Sequence, residues 1–156
     1  MRLYLDTEFT ESHPEAKLIS IALVDENGDS FYAELTDTYK FEQCSSFVKL
    51  YVIPFLKNTH KMTFSECALA LGNWIEDREE QCVIVSDNPG WDMPYLKALL
   101  NAGVWPANLL EYPIRISICD PVKEDIILDN DFDIHNALDD AKVMMLADRK
   151  NEAEEY

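Results

Sequence analysis

Along residues 2–9, "RLYLDTEF", apolar and polar side chains alternate with a period of two, the pattern of a strand that turns one face to a core. Two more apolar runs follow, Lys17–Glu26 and Ser30–Leu35, and the Asn27-Gly28 pair between them predicts a hairpin. The chain is therefore expected to begin with a three-stranded meander. Beyond it the period lengthens toward that of a helix. Residues 45–57 are predicted helical, with Pro54 kinking or ending the run, and Thr63-Phe64-Ser65-Glu66 has the form of a capping box opening the next helix. Residues 82–86, "CVIVS", suit a buried parallel strand, and a helix from about Trp91 to Asn101 is expected to stop at Gly103. Residues 114–120 predict a fifth strand. A last helix is expected from about Ile134 to Arg149, with Ala137, Ala141, Met144 and Met145 on or near one face. This order predicts an α/β fold, a five-stranded mixed sheet flanked by helices.

Composition narrows the class. A chain of 156 residues, 47% hydrophobic, is long enough for one domain with a real core, and no repeat or linker divides it. The expected domain is residues 1–150, with 151–156, "NEAEEY", as a solvated acidic tail. No apolar run approaches the roughly 18 to 20 residues of a membrane span, and the N-terminus lacks the pattern of a secretory signal. A soluble cytoplasmic protein with no membrane partner is expected. The four cysteines form no C-x-x-C pair and read as reduced, mostly buried thiols. Thirty acids against thirteen bases give a net charge of −17, which repels nucleic acid at long range. Eight of those acids lie between Asp120 and Asp140, against one lysine, Lys123.

The candidate chemistry begins in the first strand. Side chains two apart share a face, so Tyr4, Asp6 and Glu8 point one way and Leu3, Leu5, Thr7 and Phe9 the other. Two carboxylates ~4 Å apart repel by about 4 kcal/mol at an effective dielectric near 20, so the pair needs a cation, a shared proton or full solvation. A polar outer face of an edge strand would also explain them. In the middle of the chain, "SDNPGWDMPYL" places Asn88 and Trp91-Asp92 at a strand-to-helix junction, where ligands commonly bind. Ordinary turn and capping roles account equally for Asp87, Asn88 and Asp92. Near the end, "IHNALDDAK" sets His135 and Asp140 around a helix start, where acids also favour the helix dipole.

Together, D-x-E, N-x-x-W-D and H-x-A-x-x-D, in this order over the whole chain, resemble the three exonuclease motifs of the DnaQ-like family, in its DEDDh branch. The run "DTEF…LISI" and the ending "HxALxDA" most resemble the small mycobacterial-type 3′-to-5′ exoribonucleases. That resemblance implies a ribonuclease-H-like fold and a single exonuclease domain. It implies that Asp6, Glu8, Asp92 and Asp140 hold two Mg²⁺ or Mn²⁺ ions about 4 Å apart, with Asp92 acting mainly through water or indirect contacts, and that His135 is the general base. Phe9 and Trp91 are the substrate-stacking candidates. The implied partners are single-stranded RNA or DNA 3′ ends and the nucleoside monophosphate product, with a homodimer as a further possibility.

Several features compete. Asp87 is an alternative to Asp92, and Asp139 to Asp140, although only Asp140 fits H-x-A-x-x-D. Asp129-x-Asp131-x-Asp133 mimics a calcium loop, but Ile134 stands where such a loop needs glycine. His13 and His60 read as surface loop residues. Three other functions are weighed against an exoribonuclease: a 3′-to-5′ exodeoxyribonuclease, an acidic interaction protein that mimics nucleic acid, and an inactive nucleotide-binding relative.

Overall fold

The alternation along residues 2–9 becomes β1, Arg2–Phe9, in the interior of a mixed sheet. The computed structural model describes residues 1–154. β1 pairs antiparallel with β2, Leu18–Asp25, which pairs antiparallel with β3, Ser30–Leu35, so the meander is present. At its hairpin Gly28 adopts φ +92°, and the Asp25 carboxylate accepts the N–H groups of Asn27 and Asp29. On the other side β1 runs parallel to β5, Val83–Ser86.

The sheet has six strands rather than five, in the order β4-β3-β2-β1-β5-β6. The added β4 is only Lys61–Met62, parallel to β3, and two residues are too few to leave a period in the sequence. The run expected as a strand over 114–120 pairs only at its start, as β6, Ile114–Arg115. After Ile116 donates its N–H to Ser86 the chain leaves the sheet edge. It enters a helix that the hydrophobic pattern did not predict, α4, Asp120–Asn130, which buries only Ile126.

The other helices follow the expected order with shifted ends. α1, Ser46–Tyr51, is capped by Ser45, and a 3-10 turn over Ile53–Phe55 absorbs Pro54. α2, Phe64–Glu76, opens on the full Thr63/Glu66 capping box. α3, Pro89–Ala102, ends before Gly103, whose φ is −100°. A Cβ there would come 3.2 Å from the Ala68 carbonyl oxygen, so close approach to α2 explains the glycine. α5, Ala137–Glu154, begins three residues later than expected and takes in most of the acidic end. Residues 155 and 156 of the expected tail lie outside the described residues. Among the described residues no helix is long and apolar enough to cross a membrane.

The two faces of β1 separate as the alternation requires. Leu3 and Leu5 pack with α2 and α3 through Cys67, Leu71, Leu96 and Leu99. Tyr4 packs with Ala22, Val24 and Val85 beneath Ala137, Ala141, Met144 and Met145 of α5. Cys44, Cys67 and Cys82 are buried and Cys119 is exposed, all as free thiols.

Ala137 and Ala141 are fully buried, and their size sets how closely α5 lies on the sheet. Ala141→Leu is expected to lower stability by about 1–3 kcal/mol through overpacking. The check is a lower urea midpoint at unchanged m-value; an unchanged midpoint would mean that α5 does not seat here.

Candidate metal centre

β1 and β5 run parallel, so their C-terminal ends open on the same side of the sheet. There a cleft of about 240 Å³ is lined by Asp6 and Glu8 of β1, Asp87, Asn88 and Trp91-Asp92 at the start of α3, Lys123 of α4, and His135 and Asp140 at the start of α5. All five motif residues expected from the sequence meet here, together with Phe9 and Trp91.

Each side chain arrives by a different local device. The β1–β2 register slips between Glu8 and Phe9. Phe9 stacks on Trp91 and Tyr95 of α3, with ring centroids 5.4 Å apart in both pairs. Asp92 is buried, and its oxygens accept hydrogen bonds from the Thr7 hydroxyl at 2.7 Å and the Ser86 hydroxyl at 2.5 Å. Both donors come from strands, so Asp92 ties α3 to β1 and β5. Asp87 is less buried and lies in the cleft beside it.

His135 is not on a helix. It sits in a left-handed turn at φ +62°, immediately before α5. Asn136 stops that turn from extending the helix: its side-chain oxygen caps the N–H groups of Leu138 and Asp139, and its amide donates to the Phe55 carbonyl. The neighbouring acids then part. Asp139 is buried and accepts from Lys57 Nζ at 3.0 Å and from the Asp133 N–H, whereas Asp140 lines the cleft. The Asp129/Asp131/Asp133 run falls at the C-terminal end of α4, with Asp131 as its left-handed cap. His13 and His60 are exposed.

The electrostatics of the cleft are those of crowded acids. Burial, then Asp140, Asp92, Glu8 and Asp87, hold the Asp6 carboxyl well above its ordinary range. Burial, followed by Asp140 and Asp92, pushes Glu8 up to about 9, with Lys123 opposing. Asp140 is raised to about 6 by burial against the pull of Lys123, and Asp92 to about 6 by burial against the hydroxyls of Ser86 and Thr7. His135 moves the other way, lowered by burial and by Lys123.

This donor set fits hard divalent cations. Asp6 Oδ2 is buried without a hydrogen-bond partner, the condition a cation would relieve. Two groups of side chains, Glu8/His135/Asp140 and Asp6/Asp87/Asp92, each bring one ligand atom per residue within 4.8 Å of the others. The second group includes Asp87, weighed from the sequence only as an alternative to Asp92, and both line the one cleft. Lys123 was the other omission; its signal was its position as the one lysine among eight acids. Compared with models of known families and with curated proteins, the chain matches none.

Between about pH 4, where unfolded carboxyls titrate, and the raised folded values, the metal-free native state holds protons that the unfolded chain has released. Its stability therefore falls as pH rises across that window, up to about 9 for Glu8. Metal-free Tm is expected to drop between about pH 5 and pH 8, and Mg²⁺ or Mn²⁺ at one fixed concentration, 100-fold above the Kd at pH 8, to add about 2.7 kcal/mol near pH 8 but far less near pH 5, where protons compete for the carboxylates. Glu8→Gln should raise the metal-free Tm near pH 8, whereas exposed Glu111→Gln should not. A Tm indifferent to divalent cations near pH 8 would remove the metal centre.

The Asp139 carboxylate is the fastening of the His135 turn. Asp139→Ala is expected to cost about 2 kcal/mol, since it strands the Asp133 N–H and Lys57. Chemical denaturation measures this directly, and a neutral result would show that the turn is held elsewhere.

Proposed function

We propose that the chain is a divalent-cation-dependent 3′-to-5′ exonuclease of the DEDDh type, with a ribonuclease-H-like fold, that shortens single-stranded RNA and releases nucleoside 5′-monophosphates. One observation carries this reading: residues 6–8, 87–92 and 135–140, far apart in sequence, line one cleft with five carboxylates and one imidazole. The resemblance of the three motifs supplies the reaction class, and its closest likeness, to exoribonucleases, supplies the preference for RNA over DNA. The meander with helices on both faces agrees with the implied fold, and the short β4 lies three strands away from β1.

In this reading Asp6, Glu8 and Asp140, with Asp92 and Asp87 beside them, would hold Mg²⁺ or Mn²⁺. When bound, the cations supply charge neutralisation at the phosphoryl oxygens and acidify water. His135 takes the proton from the attacking water on an imidazole nitrogen, while the new P–O bond forms and the bond from phosphorus to the 3′ oxygen breaks. Its lowered pKa keeps the imidazole neutral and able to accept that proton at pH 7. The Glu8/His135/Asp140 grouping keeps the base beside two of the carboxylates. Asp92, with both oxygens engaged by hydroxyls, holds α3 against the strands. Phe9 and Trp91 offer aromatic surface to the terminal base, and stacking of this kind tolerates any base. Lys123 gives the otherwise acidic cleft a positive charge for the scissile phosphate.

The test is incubation with end-labelled RNA and DNA, single-stranded and with 3′ overhangs, in Mg²⁺, Mn²⁺ or EDTA. Stepwise 3′ shortening is expected with either metal and none in EDTA. Asp6→Ala and Asp140→Asn should abolish it, and His135→Asn should reduce kcat by about 10²- to 10⁴-fold. Absence of 3′ shortening under every condition would sink the nuclease reading and favour an acidic mimic, which Asp6→Ala would leave unaffected.

A further inference from the structure

The net charge of −17 is not spread evenly. Residues 38–62, which run from the end of β3 through α1 to β4, hold four lysines and a single acid, Glu42. The same segment holds five aromatic residues. Lys57 is paired with Asp139, which leaves Lys40, Lys49 and Lys61 against Glu42 on this segment.

The aromatic rings are not spent on the core. Phe41 is 53% exposed, Phe47 51% and Tyr51 46%. The underside of the segment is anchored instead by Cys44, Val48 and Val52, packed on Ile19. The outer surface is ordered as well: Phe47 and Tyr51 lie 4.9 Å apart, and Lys49 Nζ stands 5.0 Å over the Phe41 ring. This surface adjoins the cleft, because Phe47 meets the His135 ring edge-on at 5.1 Å. His135, Phe47 and Tyr51 thus form a continuous row of rings leading away from the carboxylates.

Exposed rings in a row are one means by which proteins hold single strands without reading sequence, because every base has a π-face to stack. We propose that this row of rings is a tract for the nucleotides 5′ of the scissile phosphodiester, with bases on Phe47 and Tyr51. The tract deepens the nuclease reading and rests on it. It makes the enzyme act better on strands of several nucleotides than on dinucleotides, whose single 5′ base can occupy only one of the two rings. A duplex has no unstacked base to offer these rings.

The experiment compares kcat/KM of the full chain on a 5′-labelled RNA dinucleotide and heptanucleotide in Mg²⁺, with elution volume recorded for each variant. The heptanucleotide should be preferred by about tenfold or more, and Tyr51→Ala should remove most of that advantage. Tyr51→Phe, which keeps the ring, should retain it. A ratio near one in the unaltered protein, or an equal ratio in Tyr51→Ala, would overturn the tract. So would a change from dimer to monomer in Tyr51→Ala with the ratio intact, since a second copy would then be the occupant. If neither length is hydrolysed, the nuclease reading falls separately. Anisotropy of the labelled heptanucleotide then decides the tract: binding lost in Tyr51→Ala supports it, and no binding overturns it.

Discussion

Mutual repulsion among carboxylates at the C-terminal end of β1 is the constraint around which the molecule is arranged. Asp6, Glu8, Asp87, Asp92 and Asp140 line one cleft, and Asp6 Oδ2 is left buried without a partner. At the effective dielectric of a partly buried site, each close pair costs on the order of several kcal/mol. Such a group stays together only if its backbone supports are stiff. β1 is interior to the sheet, paired on both sides, and cannot relax outward without breaking two ladders.

The rest of the architecture fastens the remaining groups to that strand. Asp92 is held by hydroxyls from β1 and β5, so α3 is pinned to the sheet where its carboxylate enters the cleft. The turn before α5 is pinned from the other side, through Asn136 to Phe55 and Asp139 to Lys57. Adjacent acids therefore do different work. Successive side chains on a helix point about 100° apart, so Asp139 can pair with half-buried Lys57 while Asp140 faces the cleft. Asp92 and Asp87, by contrast, both line the cleft, the first buried and held by hydroxyls and the second more open.

How much of this was legible in the sequence depended on period and on chain length. The faces of β1 and the meander could be read because alternation over eight residues, closed by Asn-Gly, admits few other structures. β4 could not, because two residues carry no period. α4 was hidden because it buries one residue and presents acids elsewhere. The start of α5 was misplaced because helical spacing continues through Ile134 and His135, whereas the backbone at His135 is left-handed and Asn136 caps the helix beyond it. The candidate site was legible as types of side chain in order. Which of Asp139 and Asp140 enters the cleft depends on Lys57, and the seating of Asp92 depends on Thr7, both distant in sequence, and on Ser86 across the strand-to-helix turn.

The net charge then takes on a different meaning. A surface at −17 repels polyanions at long range, and most of that field is screened within about 8 Å at physiological salt. On the proposed reading a strand would be discouraged over most of the surface, while contacts within a few ångströms, a cation among carboxylates, Lys123 and stacked rings, would decide where it rests. Acidity and a nucleic-acid substrate are compatible on these terms. The acids that repel the strand at a distance include those that would bind the cations to which its phosphate attaches. The proposed selectivity would follow from that sharing: the end of a single strand could reach the cleft, whereas a long duplex would have to lay its phosphates along the repelling face.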